Sequence, residues 1–319
     1  MPHLSGRGAS LLAKHFLSLL DVTPDDLSRT LALAAELKAG RRAGRASPHA
    51  SALAGRHVGM LFEKPSLRTR VTFTIGIGEL GGSIVDIPSD VMHADREPLH
   101  DVARNLERWV DAVVIRTFAQ GRLSIFTESA PGLRIVNALS DEEHPCQALA
   151  DMQTLQERWG SVAGRTITFV GDGNNVATSL VHAGLMLGAQ MRIATPKGYG
   201  LPAEATEAAA RIAVQGAELT HYVDPKEAVK GADAIYTDVW TSMGQEVEYA
   251  ERTKIFSRYQ VNDVMMGRAK PDALFMHCLP AHRGQEVSDD VMESTASVAF
   301  DQAENRLHAQ KAMLVSLFA

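Results

Sequence analysis

Two hydroxyls and two guanidiniums occur within five residues of the segment 62–70, as Ser66, Arg68, Thr69 and Arg70. An apolar run precedes them and a helical pattern follows, which predicts a strand, a tight loop and a helix N-terminus. The first N–H groups of a helix lack intrahelical partners, and the helix dipole favours negative charge there. Guanidiniums bind phosphate oxygens in pairs. The segment therefore predicts a site for a phosphorylated small molecule.

A structural alternative exists for the same segment. Ser66 could be an ordinary helix cap, with both arginines solvated in the first turn. Cations at a helix N-terminus oppose the dipole unless an anion joins them, which favours the anion site.

A glycine-containing turn further along the chain resembles the beginning of a dinucleotide-binding unit. Gly171-Asp172-Gly173 follows a predicted strand, but Val176 occupies the third glycine position. No Asp or Glu follows the next strand to hold a ribose hydroxyl. The chain also lacks a Gly-x-x-x-x-Gly-Lys-Ser/Thr motif, which argues against a P-loop NTPase. We predict a turn that binds a polar group other than NAD, and no cofactor.

Polar clusters follow several other predicted strands, where ligands bind in doubly wound sheets. The clusters are Arg116-Thr117-Phe118, His144-Pro145-Cys146-Gln147, Asp238-Val239-Trp240-Thr241-Ser242-Met243-Gly244 and His277-Cys278-Leu279-Pro280. Together with the phosphate segment they predict one functional site.

Several polar residues, taken singly, also have simple structural interpretations. His144 could cap or pack, and Cys278 could be a nucleophile or a small buried thiol. Arg306 would by default be a surface helix residue. Asp238 suits a substrate ammonium group. The spacing of His, Cys and Asp does not imply a metal site.

The elements that must position these residues alternate between strand and helix along 319 residues, a length typical of two domains. Such alternation predicts α/β architecture with parallel sheets covered by helices on both faces, that is, two doubly wound domains. The predicted strands lie near 58–62, 83–87, 112–116 and 134–138, then near 166–170, 190–194, 218–222, 234–238 and 273–277.

The first predicted helix has clear end signals. Thr23 is the expected N-cap, Pro24 takes the first helical position, and Gly40 is the expected stop. Arg41 and Arg42 are then assigned to a solvated loop.

The overall charge and the cysteine content limit the class of protein. A net charge of −6 argues against nucleic acid or an anionic membrane as the main partner. No apolar run approaches the ~18–20 residues of a membrane span, and Met1-Pro2-His3 does not begin a signal peptide. Two cysteines, Cys146 and Cys278, fit a reducing compartment, so we expect a cytoplasmic protein.

These motifs jointly resemble the ornithine and aspartate carbamoyltransferase family, and most closely its ornithine-specific branch. The resemblance runs from about residue 10 to the C-terminus. Besides the clusters above, it is carried by Ser66-Leu67-Arg68-Thr69-Arg70, Gly171-Asp172-Gly173-Asn174-Asn175 and Asp301-Gln302-Ala303-Glu304-Asn305-Arg306.

The resemblance implies transfer of a carbamoyl group from carbamoyl phosphate to the δ-amine of L-ornithine, a step of arginine biosynthesis. It implies a carbamoyl phosphate domain over 1–145 with the terminal helix 304–319 crossing back to it, an ornithine domain over 146–303, linking helices and a cis Leu279-Pro280 bond. It also implies a homotrimer or a multiple of trimers.

The resemblance assigns roles to particular residues. Arg68, Arg116, His144 and Cys278 would be catalytic. Carbamoyl phosphate would be bound by Ser66, Leu67, Arg68, Thr69, Arg116, His144, Gln147, Cys278, Leu279 and Arg306. Ornithine would be held by Asn175, Asp238, Ser242 and Met243.

Two departures from the family pattern stand out. Leu67 replaces a Thr of many ornithine enzymes, which leaves only its backbone N–H as a donor. The loop 89–97 has no Gln where many relatives reach a neighbouring subunit's phosphate, and it lacks the Lys of aspartate-specific relatives.

Three other functions compete with this interpretation. A non-catalytic relative would be expected to lose one of the four catalytic residues, and none is lost. An oxidoreductase is opposed by the incomplete glycine motif. A carbamoyltransferase acting on N-acetylornithine, N-succinylornithine or putrescine remains the alternative for the substrate.

Overall fold

The computed structural model describes residues 14–93, 97–241 and 246–319, and these form two compact units. Unit 1 comprises the described residues up to Leu139 together with Leu307–Ala319, and unit 2 is Ser140–Arg306. Each unit is built around one all-parallel sheet with helices between its strands. The predicted fold class is confirmed.

Unit 1 contains a four-stranded sheet in the order β2-β1-β3-β4. Its strands are β1 His57–Phe62, β2 Ser83–Ile87, β3 Ala112–Arg116 and β4 Arg134–Leu139. Its first helices are α1 Pro24–Arg42, α2 Leu67–Glu79, α3 Leu99–Trp109 and α4 Gln120–Ser129. The chain passes from β1 to one side and later to the other, so β1 and β3 flank the switch point. Phe62 and Arg116 are opposite each other there.

Unit 2 contains a five-stranded sheet in the order β7-β6-β5-β8-β9. Its strands are β5 Thr166–Val170, β6 Gln190–Ala194, β7 Glu218–Tyr222, β8 Ala234–Thr237 and β9 Leu274–His277. Its helices are α5 Pro145–Trp159, α6 Asn175–Met186, α7 Ala203–Ile212, α8 Pro225–Ala228, α9 Tyr249–Phe256, α10 Asp263–Met266 and α11 Asp289–Met292. The switch point lies between β5 and β8, where Val170 and Thr237 are paired.

The terminal helix α12, Ala299–Phe318, begins in unit 2, and its residues from Leu307 onward belong to unit 1. Short 3-10 helices cover Leu19–Asp21, Ser89–Met92, Glu246–Glu248 and Ser257–Tyr259. The functional domain boundaries at 145/146 and 303/304 stay a prediction.

The expected end of the first helix was wrong. Its beginning is as predicted, because the Thr23 side chain accepts the Asp26 N–H and Asp26 bonds back to Thr23. The helix continues through Gly40 to Arg42, and the left-handed conformation falls on Gly44, with φ of 63°. Glycine permits a helix to stop without requiring it, so the pattern alone did not select between the two glycines.

The core of unit 1 places the end of β3. The apolar face of α3, including Leu99, Val102 and Leu106, packs in one buried cluster with Val113 and Ile115 of that strand. Each fully buried side chain of this kind stabilises the fold by roughly 1.5–3 kcal/mol. Among the described residues, none of the helices has the length and apolar composition that a membrane crossing needs.

Candidate active site

The phosphate segment of unit 1 forms the loop after β1 and the first turn of α2. Ser66 is the N-cap residue, with φ of −156°, but its side chain makes no capping hydrogen bond. The simple capping interpretation of Ser66 is therefore wrong. Thr69 is buried, Arg68 is half-buried and Leu67 is exposed, and no acidic residue lies in the first turn. A helix N-terminus whose first turn contains no acidic residue suits an anion.

Arg70 is separated from this group by its contacts. It pairs with Asp86 on β2, and its guanidinium carbon lies 4.8 Å from the centre of the Phe62 ring. Of the two guanidiniums grouped by the sequence, Arg70 thus joins α2 to the sheet.

The end of β3 is tied to the residues that follow β1. The buried carboxylate of Glu63 accepts hydrogen bonds from Thr117 and Arg122. The Lys64 ammonium lies 4.0 Å from the centre of the Phe118 ring. These contacts hold Arg116, the last residue of β3, at the switch point of the unit 1 sheet. Ligands of doubly wound sheets bind at this position.

In unit 2, His144 is the N-cap residue of α5, with Pro145 at the first helical position. Its backbone N–H donates to Ser179 Oγ at 2.9 Å, and Ser179 donates to Glu143 Oε2 at 2.8 Å. All three residues are buried. The backbone of His144 is therefore fixed by α6, independently of its ring.

Cys146 and Gln147 lie in the first turn of α5 and differ in chemistry. Cys146 is fully buried, and burial raises the pKa of its thiol to about 12. It is therefore an unreactive packing residue. The Gln147 side-chain oxygen, Oε1, accepts a hydrogen bond from the Arg306 guanidinium at 2.7 Å. Arg306 is only 2% exposed, so its default assignment as a surface residue was wrong.

The unit 2 switch point brings Asp238, Cys278 and Asn174 together. Cys278 Sγ donates to Asp238 Oδ1 at 3.0 Å, and Asn174 Nδ2 donates to Asp238 Oδ2 at 2.8 Å. The Val239 N–H also donates to Asp238, at 2.8 Å. Three donors therefore converge on the buried Asp238 carboxylate. The Cys278 thiol carries its proton toward this carboxylate, which disfavours its interpretation as a nucleophile.

His277 holds the Cys278-Leu279 segment in place. Its Nδ1 accepts the Leu279 N–H at 2.9 Å, and its Nε2 lies 3.2 Å from Glu286 Oε1. This pattern assigns the proton to Nε2. Leu279 has a φ of 58°, in the left-handed region, and the Leu279-Pro280 bond is cis as expected. Such a φ is uncommon for a non-glycine residue and is maintained by surrounding contacts.

Asp238, His277 and Cys278 place ligand atoms within 4.8 Å of one another, an arrangement that could hold a metal ion. Linear spacing does not reveal this group because its members follow β8 and β9. Both His277 ring nitrogens are engaged, and Asp238 receives three donors, so hydrogen bonding accounts for the arrangement.

The Gly171-Asp172-Gly173 turn is filled by the chain itself. A Cβ on Gly173 would lie 2.4 Å from the Gly200 carbonyl carbon, so only glycine fits. The Asn174 side chain accepts from the first N–H groups of α6, those of Val176 and Ala177. A dinucleotide would need these N–H groups for its pyrophosphate.

The residues predicted to hold ornithine are only partly described. Asn175 Nδ2 donates to the Ser140 carbonyl at 2.5 Å, so this amide is used within unit 2. Ser242 and Met243 lie outside the described residues, as do residues 94–96 of the loop 89–97.

Sequence reasoning missed Arg252, which is 4% exposed. Its Nε donates to the Trp240 carbonyl at 2.5 Å, and it pairs with Asp172. Burial raises the pKa of Asp172 to about 6, against the lowering effect of the Arg252 charge and hydrogen bond. Arg252 thus holds the loop after β8 to the glycine turn. No sequence signal links two residues 80 positions apart.

Two parallel-sheet units with polar clusters at their switch points are typical of α/β proteins that bind small polar molecules. The family model described as the aspartate/ornithine carbamoyltransferase carbamoyl-P binding domain matches residues 14–157. The model described as the Asp/Orn binding domain of the same family matches residues 163–317. The chain belongs to the aspartate/ornithine carbamoyltransferase family and is a carbamoyl-group transferase.

Similar proteins cover nearly the whole chain. An ornithine carbamoyltransferase of Rhodococcus opacus is 48% identical, over 97% of both chains. One of Synechocystis sp. is 46% identical, again over 97% of both. The solved structure of ornithine carbamoyltransferase from Pyrococcus furiosus has a TM-score of 0.91 at 45% identity, covering 96% of this chain and 97% of its own.

Proposed function

We propose that this protein transfers the carbamoyl group of carbamoyl phosphate to the δ-amine of L-ornithine, giving L-citrulline and phosphate in arginine biosynthesis. The observation that carries the proposal is the Asp238 carboxylate, buried and joined to Cys278, within the stretch that matches the Asp/Orn binding domain. The names of the relatives support ornithine as the acceptor.

For the phosphate half of the donor, we assign Ser66, Arg68, Thr69 and the first backbone N–H groups of α2, including that of Leu67. A helix N-terminus without an acidic first turn supports this assignment. Arg68 would supply charge-assisted hydrogen bonds, which are the strongest of these contacts.

For the carbamoyl half, we assign Arg116, His144 and Thr69 to the carbonyl oxygen, which gains negative charge as the amine attacks. Gln147 and the carbonyls of Cys278 and Leu279 would orient the carbamoyl NH2 group. Arg306 would act with Gln147, to which it is hydrogen bonded.

For the amino-acid half, Asp238 would accept the α-ammonium group of ornithine, with Cys278 beside it helping to place the δ-amine. Asn175 and Ser242 would hold the α-carboxylate, and Met243 would contact the same substrate. Asn175 must exchange its bond to the Ser140 carbonyl to do so.

The reaction needs no covalent enzyme intermediate. The δ-nitrogen forms a bond to the carbamoyl carbon, the bond from that carbon to the phosphate oxygen breaks, and the leaving phosphate is the final proton acceptor. An amine with a pKa near ~10 must first lose one proton to solvent at neutral pH, and its second proton is the one that goes to the leaving phosphate. Catalysis would therefore rest on positioning and on electrostatic stabilisation.

The choice of acceptor follows from the buried charge of Asp238. N-Acetylornithine and N-succinylornithine present an amide where Asp238 needs a cation, leaving a buried charge unpaired, which is costly. Putrescine lacks the carboxylate, and aspartate adds a second negative charge.

The test is one assay of carbamoyl transfer to ornithine, these three analogues and aspartate. We expect ornithine to have the highest kcat/KM. If another acceptor surpasses it, the assignment of ornithine is wrong, while the carbamoyl phosphate half is unaffected.

We further propose a cytoplasmic homotrimer, or a multiple of trimers, that acts without nucleic acid, membrane or cofactor. The family resemblance supports this assembly. Light scattering at assay concentration tests it, and a fully active monomer would contradict it.

A further inference from the structure

A buried carboxylate outside the assigned site residues connects several of them. Asp151 lies one turn after Gln147 in α5, on the same face of the helix, and is fully buried. Its Oδ1 accepts hydrogen bonds from Gln147 Nε2 and Gln302 Nε2, each at 2.8 Å. Both carboxamides therefore present their donor ends to one carboxylate.

The two carboxamides use their other ends on residues of the site. Gln147 Oε1 accepts from Arg306 at 2.7 Å, and Gln302 Oε1 accepts the backbone N–H of His277 at 2.9 Å. A reversed amide would turn an oxygen toward the carboxylate of Asp151 and an NH2 group toward a donor. The orientation of both amides thus depends on Asp151.

We propose that Asp151 is a positioning residue for carbamoyl transfer, which orients Gln147 with Arg306 directly and the His277-Cys278-Leu279 segment through Gln302. This inference rests on the proposed function, because it assumes that these groups bind the carbamoyl moiety. All seven residues belong to unit 2.

The energetics of the carboxylate support a role other than stability. Burial raises the pKa of Asp151 to about 6, while the two amide hydrogen bonds, Tyr236 and the Arg306 charge act in the opposite direction. A buried charge is often replaceable by an apolar residue at no loss of stability. The arrangement is better explained by the orientation that the charge imposes.

The test compares carbamoyl phosphate with inorganic phosphate as ligands of the full-length protein. Inorganic phosphate should need the Ser66–Thr69 segment of unit 1 and not the carbamoyl-orienting groups. In Asp151→Ala, we expect carbamoyl phosphate to bind about tenfold or more weakly, the effect of losing hydrogen bonds to a charged group. The affinity for inorganic phosphate should stay unchanged.

Two further variants separate positioning from packing. Asp151→Asn keeps the side-chain volume and one acceptor oxygen, so it should retain part of the wild-type preference for carbamoyl phosphate over inorganic phosphate. It also replaces Asp151→Ala in the test if the alanine variant does not fold. Thr154→Val removes a buried hydrogen bond between α5 and α12, the one that Thr154 accepts from Asn305, about one turn after Asp151. It should leave the ratio of the two affinities as in the wild type.

The inference is wrong if the ratio of carbamoyl phosphate affinity to inorganic phosphate affinity is unchanged in both Asp151 variants, whether neither affinity changes or both fall equally. Failure of the proposed function would be visible separately, because the wild-type protein would then not transfer a carbamoyl group to ornithine.

Discussion

Two arginines of α2, Arg68 and Arg70, stand two positions apart and have different surroundings. Arg70 is bound to Asp86 and lies over Phe62. Arg68 is half-buried in the first turn, beside the buried Thr69. The pair therefore provides a matched test of the phosphate site within one helix.

Arg68→Ala should weaken carbamoyl phosphate binding by roughly 1.5–3 kcal/mol, because a charge-assisted hydrogen bond to the phosphate is lost. Isothermal titration calorimetry on the purified variant measures this. The fold should persist, since removing a cation from a helix N-terminus relieves a conflict with the dipole.

Arg70→Ala is the control, and it should leave carbamoyl phosphate affinity essentially unchanged while removing the ion pair to Asp86. If both substitutions weaken binding equally, the segment acts through general positive charge and the assignment to Arg68 is wrong.

The different contacts of the neighbouring residues Asn174 and Asn175 could not be predicted from the sequence. Asn174 and Asn175 have the same side chain, yet one contacts Asp238 and the other contacts a backbone carbonyl. Both side chains also accept the Val176 N–H, at 3.0 Å, so the difference lies in the partners of their NH2 groups, which are distant in sequence. Arg252 and Asp151 were missed for a related reason, because their partners are distant in sequence or part of a network.

At the scale of elements, all nine predicted strands are present with ends within one residue of the prediction. The central strands are buried and give continuous apolar runs, so their limits are visible in the sequence, whereas the edge strands β2 and β7 are largely exposed. The end of α1 was not, because Gly40 and Gly44 are equally suitable as local signals. Strand order could not be predicted either, since pairing depends on contacts between distant segments.

One carboxylate ties the beginnings of three strands of unit 2. Asp233, just before β8, accepts from the Thr166 N–H of β5 and from the side chains of Arg165 and Lys270. The Lys270 and Thr166 hydrogen bonds lower the pKa of Asp233, despite the opposing effect of burial.

Asp233→Asn should therefore lower the free energy of unfolding at neutral pH, because it removes the ion pairs with Arg165 and Lys270. The loss should be only about 1 kcal/mol, because both cations are partly exposed and their ion pairs are screened. The folded-state pKa lies below the unfolded value of ~3.9, so this stability is present above that pH. It is lost as the pH falls through the folded-state pKa.

Urea unfolding from pH 7 to pH 3 should show the difference between wild type and variant shrinking below about pH 4. Asp272→Asn, at an exposed position after Lys270, controls for the loss of one negative charge. A difference that stays constant with pH would contradict the role of the Asp233 carboxylate.

At the scale of the whole molecule, a protein with a net charge of −6 is proposed to bind an anion. Arg68 lies in the first turn of α2 and Arg116 at the end of β3, so we expect substrate affinity to depend on these local groups and not on the overall potential. Because the Arg68 and Arg116 side chains are half-buried, added salt should weaken substrate binding less than it weakens ion pairs on the protein surface.

The chain has two cysteines in total, and their environments are unequal. Cys146 is inaccessible and has a thiol pKa of about 12, whereas Cys278 is half-buried beside Asp238. A thiol-selective alkylating reagent should therefore modify one cysteine per native chain and two after unfolding, as counted by intact mass spectrometry. Labelling of Cys146 in the native protein would contradict this.

Prior addition of ornithine with phosphate should slow the native modification, because the proposed substrate position adjoins Cys278. Cys278 would thus allow a fluorophore or spin label to be attached to the native protein at one position, beside the proposed substrate position, without any engineered residue.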